Sequence, residues 1–103
     1  MTDRELLELA AKAAGLDGEV KDHGGELWFY AFSPCVCWNP LIHDGDALRL
    51  AVKFGFMIDG ENCLVSYGGN NWFNEGDEEI YDPYAATRRA IVRAAAEIGR
   101  NMK

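Results

Sequence analysis

The sequence predicts a single α+β domain, in which a mainly antiparallel sheet of three to four strands packs with three helices. Apolar residues recur at helical spacing in three segments, 2–16, 44–54 and 83–102. Between the second and third segments, Asp59-Gly60-Glu61 has the composition of a turn joining two short strands. A helix at the start and a hairpin of neighbouring strands favour antiparallel pairing. The 103 residues suffice for one domain, 1–103, with its own core.

The first helix is predicted over Thr2 to Leu16. Thr2 and Glu5 have the spacing of a capping box, and Gly15 marks the helix end. The polar, Gly-rich stretch 17–25 that follows indicates a loop. The apolar stripe of this helix consists of Leu6, Leu9, Ala10, Ala13 and Ala14.

An aromatic strand is predicted over Glu26 to Ser33, ending before Pro34. Its alternate residues are apolar on both faces, which is typical of a strand covered on both sides. We therefore expect a three-layer α/β/α sandwich. Trp38 precedes the turn at Asn39-Pro40, and we expect this large ring to be buried and to hold the loop on the core.

The second helix is predicted over Asp44 to Phe54, with Asp44 as its cap and Gly55 as its end. Arg49 and Lys53 are the clearly polar residues of its body. A helix that is apolar over most of its circumference is usually buried. We therefore expect the second helix to be largely buried.

The rest of the chain is predicted to form a hairpin, a short strand and a final helix. The hairpin strands are 56–58 and 62–67, and the short strand is 71–74. Asp82 caps the final helix and Pro83 is its first residue. Its apolar stripe consists of Tyr84, Thr87, Ile91, Ala94, Ala95, Ile98 and Met102.

The net charge and the lengths of the apolar runs exclude some classes of function. Ten Lys and Arg against seventeen Asp and Glu give a net charge of −7. A nucleic-acid-binding protein normally has a basic face, so this balance argues against direct nucleic-acid binding. No apolar run approaches the roughly 18 residues of a membrane helix, and the first residues lack a secretion-signal pattern. We expect a cytoplasmic protein without a membrane partner.

The cysteines do not have the spacing of a metal site. Cys35, Cys37, Cys63 and His43 could supply four zinc ligands, but their spacing fits no standard zinc pattern. Cys63 with His43 and Asp44 has the residue types of an activated thiolate, scattered over twenty positions. Small, buried, reduced side chains are the simpler interpretation. We expect no metal, no cofactor and no catalytic residue.

Two charged segments are candidates for partner binding. Positions 1–82 hold 16 acidic and 5 basic residues, whereas positions 83–103 hold 1 and 5. The acidic cluster at 75–82 is either a solvated loop or a contact surface. The Arg residues of the last helix either neutralise the acidic body or form a recognition face. The candidate partner-binding residues are Glu75, Asp77, Glu78, Glu79, Asp82, Arg88, Arg89 and Arg93.

Three blocks of sequence together resemble a known family. They are TDRELLELAAKAAGL (2–16), WNPLIHDGDALRLAVK (38–53) and DPYAATRRAIVRAAAEIG (82–99). In this order they resemble small accessory proteins of tailed bacteriophages and prophages, with a domain similar to the phage ABA sandwich family of unknown function. The resemblance implies a sandwich of helices around a sheet and a phage origin, and it supplies no catalytic residues.

The leading functional hypothesis is a non-enzymatic accessory protein that binds and modulates a bacterial host factor. It would act in the host cytoplasm on a nucleic-acid-handling complex, as an anti-CRISPR or anti-restriction inhibitor, steered by its acidic charge. The alternative is a small enzyme or nucleotide-binding protein acting on a host metabolite or signal. A third hypothesis has the Arg-rich helix bind nucleic acid. The oligomeric state is left open.

Overall fold

Two helices are each followed by three strands, and a third helix completes the fold. A computed structural model of the protein describes residues 2–32, 35–67, 71–74 and 82–102. The elements are α1 (Asp3–Ala14), β1 (Gly18–His23), β2 (Glu26–Phe32), β3 (Cys35–Trp38), α2 (Asp44–Phe54), β4 (Met57–Asp59), β5 (Leu64–Tyr67), β6 (Asn71–Asn74) and α3 (Pro83–Arg100).

The strands form two three-stranded antiparallel sheets, ordered β1-β2-β3 and β4-β5-β6. In the first sheet Phe29 lies opposite both Val20 and Trp38, so these three side chains share the face that is turned to the core. In the second sheet Val65 is fully buried. The α+β class with three helices and antiparallel sheets is confirmed, and the described residues contain six strands in two sheets instead of three to four in one.

The ends of α1 follow the sequence signals. The Thr2 hydroxyl accepts a hydrogen bond from the Glu5 amide at 3.2 Å, and the Glu5 carboxylate accepts one from the Thr2 amide at 3.5 Å, which completes the capping box. Gly15 adopts a left-handed conformation (φ 78°) and its amide caps the last turn. The predicted first helix is confirmed, with Thr2 as its cap.

The helices α1 and α3 pack closely, and small residues make the approach possible. The α3 face towards the core consists largely of alanines, including the fully buried Ala90, Ala95 and Ala96. Near its end, Gly99 lies against the backbone carbonyl of Leu9 in α1. A side chain at this position would collide with the facing helix.

Trp38 is buried, as predicted, with 8% of its surface exposed. Its ring meets Phe29 edge-to-face, with the ring centroids 6.0 Å apart. Next to it, the Asn39 side-chain amide donates to the Leu27 carbonyl at 2.6 Å, and its oxygen accepts from the Leu41 amide at 2.9 Å. These hydrogen bonds satisfy a buried polar side chain and fix the loop from β3 into α2.

Two strands escaped the sequence analysis. The stretch 17–25 contains β1 where a loop was predicted, and Cys35–Trp38 forms β3. β1 buries Val20 alone, and its other side chains are polar or partly to fully exposed. A strand at the edge of a sheet with one buried residue has no apolar alternation to detect.

The expected three-layer sandwich is not confirmed by the part of the chain that the structure describes. α1 covers one face of β2, where Phe29 and Ala31 are buried. On the other face Phe32 is 64% exposed, and Trp28 and Tyr30 are partly buried. A helix layer over this face would bury all three rings. Among the described residues, none of the helices combines the length and apolarity that crossing a bilayer would require.

Candidate functional site

The helix α2 spans the predicted residues, but the predicted burial of this helix is wrong. It buries Ala47, Leu50 and Ala51 against the rest of the domain. Leu48 is 59% exposed and Val52 is 71% exposed. The two side chains are separated by one helical turn, so they form one outward-facing apolar surface.

The helices α1 and α2 end in the same way, which allows their positions to be compared. Gly15 and Gly55 are both left-handed, with φ of 78° and 65°. The amide of each caps the last turn by donating to carbonyls three and four residues earlier. Counting back from these two glycines therefore identifies equivalent positions in the two helices.

At equivalent positions, α1 has charged residues where α2 has apolar ones. Leu48 and Val52 lie seven and three residues before Gly55, as Glu8 and Lys12 do before Gly15. Glu8 and Lys12 are exposed to solvent, which is the usual place for charge on a helix. An exposed apolar pair at the same positions of α2 is not needed for the helix itself, and it points to a contact surface.

A groove lies between α2, the beginning of α3 and the β4–β5 turn. Its volume is about 590 Å³, within the size range of ligand-binding clefts. Leu48, Ile58 and Tyr84 line it, and all three expose large apolar side chains, at 59%, 42% and 72%. Asp44 and Arg88 are its charged members, and the mainly apolar lining is completed by Gly45, Ala47, Gly60, Pro83, Thr87 and Ile91.

Arg88 joins the two helices at the end of the groove. Its Nε donates to the Leu41 carbonyl at 2.9 Å, and its Nη1 pairs with the Asp44 carboxylate at 2.6 Å. The Arg88 side chain is 17% exposed, whereas Asp44 is 76% exposed. The guanidinium is therefore engaged within the fold, and the carboxylate faces solvent.

Two further carboxylates belong to residues that adjoin the groove lining in the sequence. Asp59 lies between two lining residues, Ile58 and Gly60, and Asp82 precedes the lining residue Pro83. Hydrogen bonds that the Asn62 side chain and amide donate to Asp59 hold the pKa of this carboxyl below its ordinary value. The groove therefore has a mainly apolar lining that includes the Asp44 carboxylate, and Asp59 and Asp82 adjoin lining residues in the sequence.

Asp44 is not the cap of α2, contrary to the sequence prediction. The cap position is His43, whose side chain makes no capping hydrogen bond. Asp44 lies in the first turn, where it pairs with Arg88. In the same turn Asp46 accepts from the Asn39 amide at 3.0 Å and pairs with Arg49 at 2.8 Å. Both carboxylates also suit the positive end of the helix dipole.

The acidic candidates lie mostly outside the part of the chain that the structure describes. This is the case for Glu75, Asp77, Glu78 and Glu79. Asp82 is described, and it caps α3 as predicted, accepting from the amides of the second and third helical residues at 3.0 and 3.3 Å. The role of the acidic segment in binding stays a prediction.

The basic candidates make ion pairs within the domain. Arg88 pairs with Asp44, and Arg89 pairs with Asp3 of α1 at 3.0 Å. Arg93 lies 3.8 Å from Glu97, one turn further along α3. These pairs agree with neutralisation of the acidic body. Of the three arginines Arg88 alone lines the groove, and a recognition face made of all three stays a prediction.

The cysteines and histidine do not converge. Cys35 and Cys37 are exposed on β3, contrary to the expected burial, whereas Cys63 is buried in the β4–β5 turn with its Sγ 3.7 Å from the Pro83 carbonyl. The His43 ring packs on Trp28, with centroids 5.0 Å apart. Within the described ranges, no three His, Cys, Asp or Glu residues lie close enough to share a metal ion.

Sequence reasoning missed the groove residues Leu48, Ile58 and Tyr84. The signal was present in α2, where apolar residues occupy more of the circumference than one buried stripe needs. Periodicity marks an apolar face, but a face against the core and a face open to solvent look the same.

We compared the chain with protein-family models, with curated proteins and with solved structures, and found no match. The resemblance to small phage proteins therefore stays a prediction, and the groove is defined by its geometry.

Proposed function

We propose that this protein is a non-enzymatic binding module that attaches to a bacterial host protein through the groove between α2 and α3. The observation that carries the proposal is the exposed Leu48 in the groove, at a position where α1 has the charged Glu8. Val52, one turn further along α2, extends this exposed apolar surface beyond the groove lining. Together with Ile58 and Tyr84, they offer apolar surface that a partner would remove from water. Burial of such surface is the main favourable term in protein association.

The biological setting is part of the same proposal. The three blocks that resemble phage and prophage accessory proteins support an origin in a phage and an action on a host factor. The net charge of −7 supports a partner with a basic surface, as nucleic-acid-handling complexes have. We therefore propose an anti-defence role, in which the bound protein inhibits a restriction or CRISPR complex.

The groove supports a protein partner better than a nucleotide. Its volume of about 590 Å³ would admit a small molecule. However, Arg88, the cation among the described lining residues, is paired with Asp44 and 17% exposed. The phosphates of a nucleotide would meet the exposed Asp44 carboxylate, while the lining cation of the described residues is already paired with it.

Affinity capture from a bacterial lysate tests the proposal with matched variants. Leu48→Gln and Tyr84→Gln remove apolar surface from the groove, and Phe32→Gln removes a comparably exposed ring from the first sheet. All three should unfold at nearly the wild-type temperature, because substitutions of exposed side chains usually change stability by no more than about 0.5 kcal/mol.

A host protein that binds the groove should be retained by the wild type and by Phe32→Gln, and lost by both groove variants. Retention of the same host protein by all four chains would contradict binding through the groove. Loss by Phe32→Gln alone would move the binding surface to the open face of the first sheet.

A further inference from the structure

We infer that the occupant of the groove is a basic amphipathic helix of the partner, with its apolar face on Leu48, Ile58 and Tyr84 and its Lys or Arg residues beside the Asp44 carboxylate. This inference rests on the proposed function, because it names the chemistry of the partner for the same groove. It is carried by two properties of the described residues, the shape of the apolar surface and the sign of the charge around it.

The shape favours a helix. The groove is bounded by α2 on one side and the start of α3 on the other, with the β4–β5 turn at one end. Along α3 the lining residues Tyr84, Thr87 and Ile91 recur at helical spacing, so they match apolar side chains that recur at the same interval on a facing helix. Tyr84, 72% exposed, provides a large amphipathic ring of the kind that dominates binding energy at interfaces.

The charge favours a basic partner. Asp44, which lines the groove, is 76% exposed, and its pairing with Arg88 leaves it open to a second cation. Asp59 and Asp82 are sequence neighbours of lining residues, and Asp82 is exposed. Lys or Arg residues flanking an apolar stripe would meet the Asp44 carboxylate. The net charge of −7 would also speed the approach of a basic partner.

A second copy of the chain is disfavoured as the occupant by the same charge. Pairing two grooves would bring the exposed Asp44 carboxylates of both copies to one interface. Each copy carries −7, so the approach of two copies is opposed by like-charge repulsion. A partner of opposite charge has no such cost.

Three labelled model peptides, each about five helical turns long, test the inference by fluorescence anisotropy. The first has a Leu stripe flanked by Lys. The second has the same composition, scrambled so that the stripe is lost. The third keeps the stripe and has Glu in place of Lys. We expect the first peptide to bind at least about tenfold more tightly than either other, since one lost apolar or charged contact is worth roughly this factor.

The groove variants show where the peptide binds. Leu48→Gln and Tyr84→Gln should each weaken the Lys-flanked peptide about tenfold, whereas Phe32→Gln should leave its affinity unchanged. The affinity should fall as salt is raised, because the flanking charges are exposed and screened. Equal binding of the scrambled peptide would show attraction by charge alone, and equal binding of the Glu peptide would show that the sign of the charge is irrelevant. Either result overturns the inference.

Two further results separate the inference from the proposed function. If the groove variants lose a host protein in the capture experiment but bind the Lys-flanked peptide as the wild type does, the module binds through the groove and the basic helix is the wrong occupant. If sedimentation shows a dimer that dissociates on Leu48→Gln, the occupant is a second copy, and the inference is overturned.

Discussion

Replacing Gly99 with alanine measures how closely α1 and α3 are packed. A Cβ atom at Gly99 would overlap the carbonyl oxygen and carbon of Leu9, and it would come within 3.3 Å of the Ala13 amide nitrogen. These atoms belong to the backbone of α1, so no side chain can turn aside to make room. The two helices would have to separate, and the buried alanines between them would lose contact.

The expected loss of stability follows from two opposing effects. Alanine is the better helix former by about 1 kcal/mol, which favours the variant. Overpacking of a close-packed interior costs about 1–3 kcal/mol and occasionally more, and an obstacle made of backbone belongs to the upper end of that range. We expect Gly99→Ala to lower the free energy of unfolding by about 2 kcal/mol, and the melting temperature of a domain of this size by about 8–16 °C.

Urea denaturation followed by circular dichroism measures this difference, with Gly45→Ala as the matched control. Gly45 also lies in a helix, but a Cβ there would meet only the flexible end of the Arg49 side chain, at 3.4 Å. Gly45→Ala should therefore leave stability unchanged or raise it by up to about 1 kcal/mol. If Gly99→Ala is as stable as the wild type, α1 and α3 are not in backbone contact at Leu9, and the packing described above is wrong.

Three further predictions address other parts of the molecule. Trp38→Ala should cost about 3–5 kcal/mol in urea denaturation, because it removes a buried ring packed on Phe29; a variant as stable as the wild type would contradict this role. Asn62→Ala should raise the pKa of Asp59 towards its ordinary value, and an NMR titration measures this pKa. In the wild type the ionised Asp59 stabilises the turn at pH values above the ordinary pKa, and this stabilisation is lost as the pH falls through the lowered pKa. An unchanged titration midpoint in the variant would refute the assignment. Serine at the three acidic positions 77–79 should leave the melting temperature nearly unchanged and slow association with the partner most at low salt; equal rates at all ionic strengths would leave this segment a solvated loop.

The helices could be predicted from the sequence because their ends carry strong local signals. The capping box at Thr2, the left-handed glycines after α1 and α2, and Asp82-Pro83 each satisfy backbone groups that a helix end leaves open. These interactions join residues that are close in the sequence, so the sequence alone is enough to predict them. The cap of α2 is the exception, because Asp44 is drawn into a contact with Arg88, 44 residues away in the chain.

The strands β1 and β3 could not be predicted, because their pairing depends on β2. β1 buries only Val20, and β3 is four residues long with Trp38 as its buried residue. Each is held by hydrogen bonds to the aromatic strand between them, and such pairing leaves little trace in the sequence of the outer strand. The order of a helix followed by three strands, which occurs twice, was hidden for the same reason.

The groove could not be predicted from the sequence, because an apolar residue in a helix can face either the core or the solvent. Leu48 and Val52 have the composition of a buried helix, and only the packed structure shows which side of α2 meets the core. The comparison with α1 distinguishes the two cases. Both helices end at a left-handed glycine, but the outward positions are charged in α1 and apolar in α2.

Backbone NMR of the labelled protein, titrated with the Lys-flanked peptide, tests most directly whether the groove is the binding surface. We expect chemical shifts to change for the amides of Leu48, Ile58 and Tyr84 and their neighbours in α2, the β4–β5 turn and the first turns of α3. The outer face of the first sheet, at Tyr30 and Phe32, should not change. Shift changes centred on that sheet, with Leu48 and Tyr84 unaffected, would contradict the account.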